Sequence, residues 1–187
     1  MRLLLIATPR SGSTSFINWI SKELKLKIIN EPFNINQKNI KELQNHFYNS
    51  DNIIAKITPN ETNHVEKKSW NFILGLTRET IEDCAISFTK ALTINKTKYE
   101  WHTKYTVENN WIIKNIDKIN ETIDFITKQN YLILNDKNID FQLTYEDVFY
   151  NKIKILDFCK KLNITNLDLL DPSKKYRVNV IQTKKLL

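Results

Sequence analysis

The 187-residue sequence is poor in the residues that punctuate or staple a chain: two glycines, four prolines and two cysteines, with three histidines and one methionine. So little Gly and Pro argues against long flexible linkers, and the chain reads as a single domain over residues 1–187, with a basic tail from about residue 171. Cys84 and Cys159 stand far apart with no Cys-x-x-Cys spacing, which suggests neither a disulfide framework nor a cysteine zinc site. No metal-ligand set is apparent. No apolar run reaches the length of a membrane span. The run Arg2–Ile6 is too short for a signal peptide and enters a Pro-Arg-Ser-Gly turn, so a cytoplasmic protein without a transmembrane segment is expected. There is no long basic run and no basic stripe interleaved with aromatics, so nothing specific points to nucleic acid.

Hydrophobic residues make up 41% and charged residues 26% of the chain, within the ordinary range of a globular protein. The formal charge of +7 favours an anionic partner, although a lysine-rich solvated surface gives the same number. Short apolar runs alternate with stretches of helical spacing, which predicts an α/β fold: three layers, α/β/α, around a central, mainly parallel sheet. Strands are expected at 3–7, 27–30, 53–57, 72–76, 131–134 and 141–144. Helices are expected at 13–24, 40–47, 81–92, 107–129 and 148–162, the fourth from apolar residues recurring at three and four from Trp111 to Ile126.

Between the first strand and the first helix lies Thr8-Pro9-Arg10-Ser11-Gly12-Ser13-Thr14-Ser15. A strand, a tight turn with Gly and a helix start aim several backbone N–H groups and a helix dipole at one point, which suits phosphate or sulfate. Ser11, Ser13, Thr14 and Ser15 add hydroxyls, and Arg10 adds a fork of donors. A plain Ser/Thr helix cap with a solvated Arg10 is the alternative. The loop lacks the Gly-Lys-Ser/Thr ending of a Walker A sequence, which separates it from ordinary ATPases and GTPases.

The loop resembles the 5′-phosphosulfate loop of sulfotransferases that use PAPS (3′-phosphoadenosine 5′-phosphosulfate), and three later segments follow in that family's order. Arg78, after Leu76-Thr77, and Ser87 resemble its 3′-phosphate pair, although their spacing of nine is one longer than usual. Asn30-Glu31-Pro32-Phe33 is similar to a segment of the carbohydrate-type and bacterial enzymes. Thr144-Tyr145-Glu146-Asp147-Val148 looks like the family's Tyr-Glu-Asp-Leu. The resemblance implies a P-loop-like fold, PAPS as donor, PAP (adenosine 3′,5′-bisphosphate) as product, and no metal. It places Arg10, Ser11, Gly12, Ser13, Thr14, Ser15, Arg78 and Ser87 on the cofactor. Tyr145 lies against the adenine or is simply a half-buried aromatic.

Catalysis in that case is in-line transfer, assisted by Arg10, to an acceptor hydroxyl or amine, a sugar or glycan being favoured by the Glu31 segment. In the enzymes acting on small phenols a His serves as base. Ala55-Lys56-Ile57-Thr58-Pro59 holds Thr58 there, so the base must come from elsewhere; the Glu of the carbohydrate-type enzymes implies Glu31, which is otherwise a surface residue heading a turn. Lys56 bridges toward the transferred group or is an exposed strand-end lysine. His102, beside Trp101, is a second candidate base or a loop histidine. Two rivals stand beside sulfuryl transfer: a divergent P-loop nucleotide kinase, and a non-catalytic PAPS- or PAP-binding module.

Overall fold

The computed structural model describes residues 1–34, 39–94 and 108–165. The candidate His102 and the basic tail lie outside them.

Five strands, β1 (Arg2–Ala7), β2 (Lys27–Asn30), β3 (Ile53–Ile57), β4 (Phe72–Thr77) and β5 (Phe141–Thr144), form one sheet in the order β2-β3-β1-β4-β5. All four strand pairings are parallel. The sheet therefore needs cover on both faces, and β1 accordingly runs almost wholly apolar and buried. Leu3 and Leu5 meet α1 (Ser13–Leu24) and α7 (Lys152–Lys161) through Phe16, Ile17, Ile20 and Phe158. Leu4 and Ile6 face the opposite way, into a cluster with Phe47 of α2 (Ile40–Asn49), Trp70 and Ile133. The three-layer α/β/α architecture expected from the sequence is the one observed.

The chain forms two compact units. The first, residues 1–79 and 129–170, contains the sheet and the loop after β1. The described part of the second includes α3 (Ile81–Ile94), α4 (Asn109–Lys114) and the start of α5 (Ile116–Leu134). Its core gathers Ala85, Ile86 and Ile119 with Trp111, Ile112 and Ile123. Phe88 and Phe125 stack at 5.9 Å, and the Thr89 and Thr122 hydroxyls share a hydrogen bond of 2.9 Å.

Three expected elements differ. Tyr131–Leu134 is not a strand but the last turn of α5. The run Tyr-Leu-Ile-Leu has strand propensity, yet Ile126 and Ile133 are buried seven residues apart while Leu132 and Leu134 are exposed, a helical and not an alternating pattern. The helix expected over 107–129 breaks at Asn115, whose side chain donates to the carbonyl of Trp111 at 2.8 Å and competes with continuation. The helix expected over 148–162 is two helices, α6 (Tyr145–Phe149) and α7, because Asn151 caps the second through its side-chain oxygen. Among the described residues no helix is long and apolar enough to cross a membrane.

Candidate functional site

Ligands of parallel sheets sit beyond the carboxyl ends of the strands. Here the central strand β1 delivers the loop to that edge. Thr8 still pairs with β4, its N–H donating to Leu76 at 3.1 Å, and the chain then turns. Ser11 closes the turn onto the Thr8 carbonyl through its N–H at 3.4 Å and its hydroxyl at 2.7 Å. Pro9 fixes its own φ, and Arg10 takes the left-handed region at φ 60°. Gly12 follows at φ 73° as the N-cap of α1.

Gly12 has no side chain to cap the helix, and the first turn of α1 contains no acidic residue. The earliest helical bond runs from Phe16 N–H to the Gly12 carbonyl. The Gly12 N-cap thus offers no side chain to the amides that open this 12-residue helix, which have the positive end of the dipole behind them. Of the hydroxyls expected at the site, Thr14 and Ser15 are partly exposed and Ser13 is buried. Ser11 is fully buried and holds the turn itself. Thr8 Oγ1 is buried with no hydrogen-bond partner among the described residues, a cost of about 1–3 kcal/mol.

Arg78, one residue past β4, donates from Nη1 to the Arg10 carbonyl at 3.1 Å. Its guanidinium carbon lies 4.5 Å from the centre of the Tyr145 ring. A β-carbon at Gly12 would stand 2.7 Å from Tyr145 Cδ2 and 2.9 Å from Phe149 Cε2, so the tyrosine ring rests directly on the loop. Burial, reinforced by the neighbouring Tyr150, pushes the Tyr145 phenol upward despite the opposing charge of Arg78, and it stays protonated at neutral pH.

Glu31 follows β2, again in the left-handed region at φ 51°. Its N–H donates to the Lys56 carbonyl at 2.9 Å, and its Oε1 lies 2.8 Å from Lys56 Nζ. Asn34 donates to Oε2 at 3.0 Å. Lys56 is not an exposed strand-end lysine: it is 7% exposed and its charge is met by this carboxylate. Ser87 lies buried on α3, in the second unit. Arg10, Gly12, Arg78 and Tyr145 thus form one connected group, and Glu31 with Lys56 forms another at the same edge of the sheet. Asn130, which donates to the Arg78 carbonyl at 2.9 Å, and Asn34 were not legible as site residues. Asn34 sits three residues after Glu31 and could have been suspected. Asn130 lies 52 residues from its partner, and nothing local marks it.

No family model matches the chain, and no curated protein does. Solved structures do. The YorR protein of Bacillus subtilis, in complex with phosphorylated GDP, is 15% identical with a TM-score of 0.40, covering 87% of this chain and 97% of its own. Shikimate kinase from Bacteroides thetaiotaomicron is 11% identical with a TM-score of 0.41, covering 87% and 96%. The fold is P-loop-like, a parallel α/β sheet with its loop after the central strand.

These comparisons correct the expected membership of the PAPS-dependent sulfotransferases: they return a protein bound to a phosphorylated nucleotide and a kinase in that place. Sulfuryl transfer as the activity, with PAPS as donor and PAP as product, falls with it. The physical reason lies in the segments that suggested it. A left-handed glycine, hydroxyls and an arginine at a helix start are what any anion loop needs, and sulfate and phosphate present it with the same tetrahedron of oxygens. At these identities and TM-scores the likeness assigns no reaction or substrate to this chain.

Proposed function

We propose that the chain is a divergent P-loop nucleotide kinase, which binds the phosphates of a nucleotide at the loop after β1 and transfers a phosphoryl group to an acceptor hydroxyl. The observation that carries this is the glycine-capped N-terminus of α1, following left-handed Arg10 at the carboxyl edge of a parallel sheet. In this reading the amides of 13–15 and the Arg10 guanidinium hold phosphate oxygens. Ser13 stands where Walker loops place their lysine, and Thr14 where they place the hydroxyl that meets Mg2+. A nucleoside triphosphate brings its own Mg2+. Among the described residues no group of three or more His, Cys, Asp or Glu could hold a separate ion.

The missing loop lysine leaves charge stabilisation to Arg10 and to Lys56, the buried cation on the neighbouring strand β3. Glu31 is the base in this reading. Lys56 and Asn34 fix its carboxylate in one orientation, which favours proton abstraction from a hydroxyl brought to that spot. Absence of a membrane-crossing helix among the described residues is compatible with the expected cytoplasmic location.

Calorimetry with Mg·ATP, Mg·GTP and PAP tests the ligand, and transfer from a γ-labelled triphosphate tests the reaction. A triphosphate should bind, Arg10→Ala should weaken that binding at least tenfold, and Glu31→Gln should leave binding within threefold while transfer falls a hundredfold or more. Binding of PAP with no binding of either triphosphate overturns the proposal.

A further inference from the structure

The two left-handed residues of the loop meet side chains from two neighbouring strand ends: Arg78, past β4, donates to Arg10, and Tyr145, past β5, rests on Gly12. β4 and β5 pair in parallel with Thr77 opposite Thr144, so the next residues, Arg78 and Tyr145, stand side by side at the edge of the sheet. Arg78 receives no help from sequence proximity: it reaches back 68 residues to donate to the carbonyl of Arg10. Its guanidinium carbon lies over the Tyr145 ring, and that ring fills the space a β-carbon on Gly12 would need.

Both side chains spring from pinned backbone. The Arg78 carbonyl accepts from Asn130, and Glu79 N–H donates to Glu146 Oε2 at 3.0 Å. The Thr144 hydroxyl donates to Glu79 Oε1 at 3.2 Å, and the Thr144–Asp147 capping box fixes the start of α6. In a left-handed residue that is not glycine the β-carbon crowds the following carbonyl, and a contact from outside the loop that holds Arg10 at φ 60° offsets that strain. Arg78 meets Arg10, and Tyr145, with Phe149 beside it, meets Gly12.

We infer that Arg78 and Tyr145 are positioning residues that clamp Arg10 and Gly12 in their left-handed conformations and so aim the opening amides of α1 at the anion. The inference rests on the loop being the phosphate site, as proposed above. The clamp needs a flat cation that donates and stacks at once, which a guanidinium does and an ammonium does not. It needs the ring of Tyr145 and not its hydroxyl.

The experiment compares the full chain with Tyr145→Phe, Tyr145→Leu and Arg78→Lys. Amide hydrogen exchange of Ser11 and Phe16, the donors that close the turn and open α1, is read first in ligand-free protein. Mg·ATP titrations at two salt concentrations follow, all well below the thermal unfolding midpoint of each variant. Exchange of the β3 amides serves as the control for global destabilisation. Tyr145→Phe should keep both exchange and affinity within twofold. Tyr145→Leu and Arg78→Lys should speed exchange at Ser11 and Phe16 at least tenfold relative to β3 and weaken Mg·ATP at least tenfold.

Unchanged relative exchange in Tyr145→Leu overturns the clamp. So does a Tyr145→Phe variant as damaged as Tyr145→Leu, since the hydroxyl would then be the acting group. An Arg78→Lys variant whose exchange is unchanged while its salt dependence flattens also overturns it, because Arg78 would then meet the anion directly. Wild-type protein that binds no nucleotide, yet shows the exchange pattern, sinks the kinase proposal and leaves the clamp standing.

Discussion

Only two glycines occur in the chain, and each sits where a β-carbon would collide. Gly12 combines φ 73° with the press of Tyr145 and Phe149. Gly12→Ala should therefore lower stability by about 2–4 kcal/mol, strain and overpacking together, and weaken nucleotide binding at least tenfold. Denaturant melts and calorimetry read the two effects separately, and an unchanged midpoint would contradict the packing described. Gly75 is different in kind. It lies within β4, and a β-carbon there would come 2.6 Å from Ile133 Cγ2, the branch methyl of a buried side chain that cannot swing aside. Gly75→Ala should cost about 1–3 kcal/mol. The pair Gly75→Ala with Ile133→Ala should be more stable than the sum of the single losses implies, which a double-mutant cycle in urea would reveal. Gly12 announces itself in the sequence, set among serines at a strand-to-helix turn. Gly75, between Leu74 and Leu76, looks like any apolar strand residue, because the helix that demands it arrives nearly sixty residues later.

Between strand and helix, the segment Thr144–Asp147 shows how a short element is held. Thr144 accepts from the Asp147 N–H, and the Asp147 carboxylate accepts from the Thr144 N–H at 2.8 Å and from Lys154 Nζ at 2.6 Å. Burial alone would push the Asp147 carboxyl up, but the Lys154 ammonium and the Thr144 donors outweigh it and hold it below the usual aspartate value. The folded state thus binds this proton less readily than the unfolded chain does. Its contribution is complete above the ordinary aspartate pKa, about 4, and drains away as pH falls through the lower folded value. Asp147→Asn should cost about 1–2 kcal/mol at pH 7, and its stability should fall less steeply than that of the wild type as pH drops below about 4. Parallel acid titrations of stability would expose the opposite ordering if the assignment is mistaken. The Thr-x-x-Asp spacing of this cap is local, acting over three residues, yet the helix expected from the sequence begins only at 148. The break between α6 and α7 was missed because Asn151 acts against a continuous apolar pattern, and propensity alone does not weigh those two.

For the molecule as a whole, the proposed ligand and the charge of +7 have measurable consequences. Nucleotide at about a hundred times its dissociation constant should stabilise the fold by ~2.7 kcal/mol, a rise in Tm of roughly 5–10 °C for a chain of this size. A thermal melt with Mg·ATP that does not move would count directly against nucleotide binding. Raising salt from about 50 mM to 500 mM should weaken the complex, since exposed charges are screened beyond a Debye length of a few ångströms at the higher value. What the sequence by itself determined was the local and periodic part: apolar runs that had to be buried parallel strands, helical spacing in α1, and a turn whose composition suits an anion. Such features are set by neighbours within a few residues, so they are legible one window at a time. Only the tertiary structure decided that Tyr145 rests on Gly12, that Arg78 grips Arg10, that Lys56 is buried against Glu31, and that Tyr131–Leu134 closes a helix. Each of these depends on strand order and register, which place residues tens of positions apart at one edge of the sheet. An anion loop specifies its tetrahedron of oxygens in eight residues, but what those oxygens belong to is chosen by side chains that only the fold assembles.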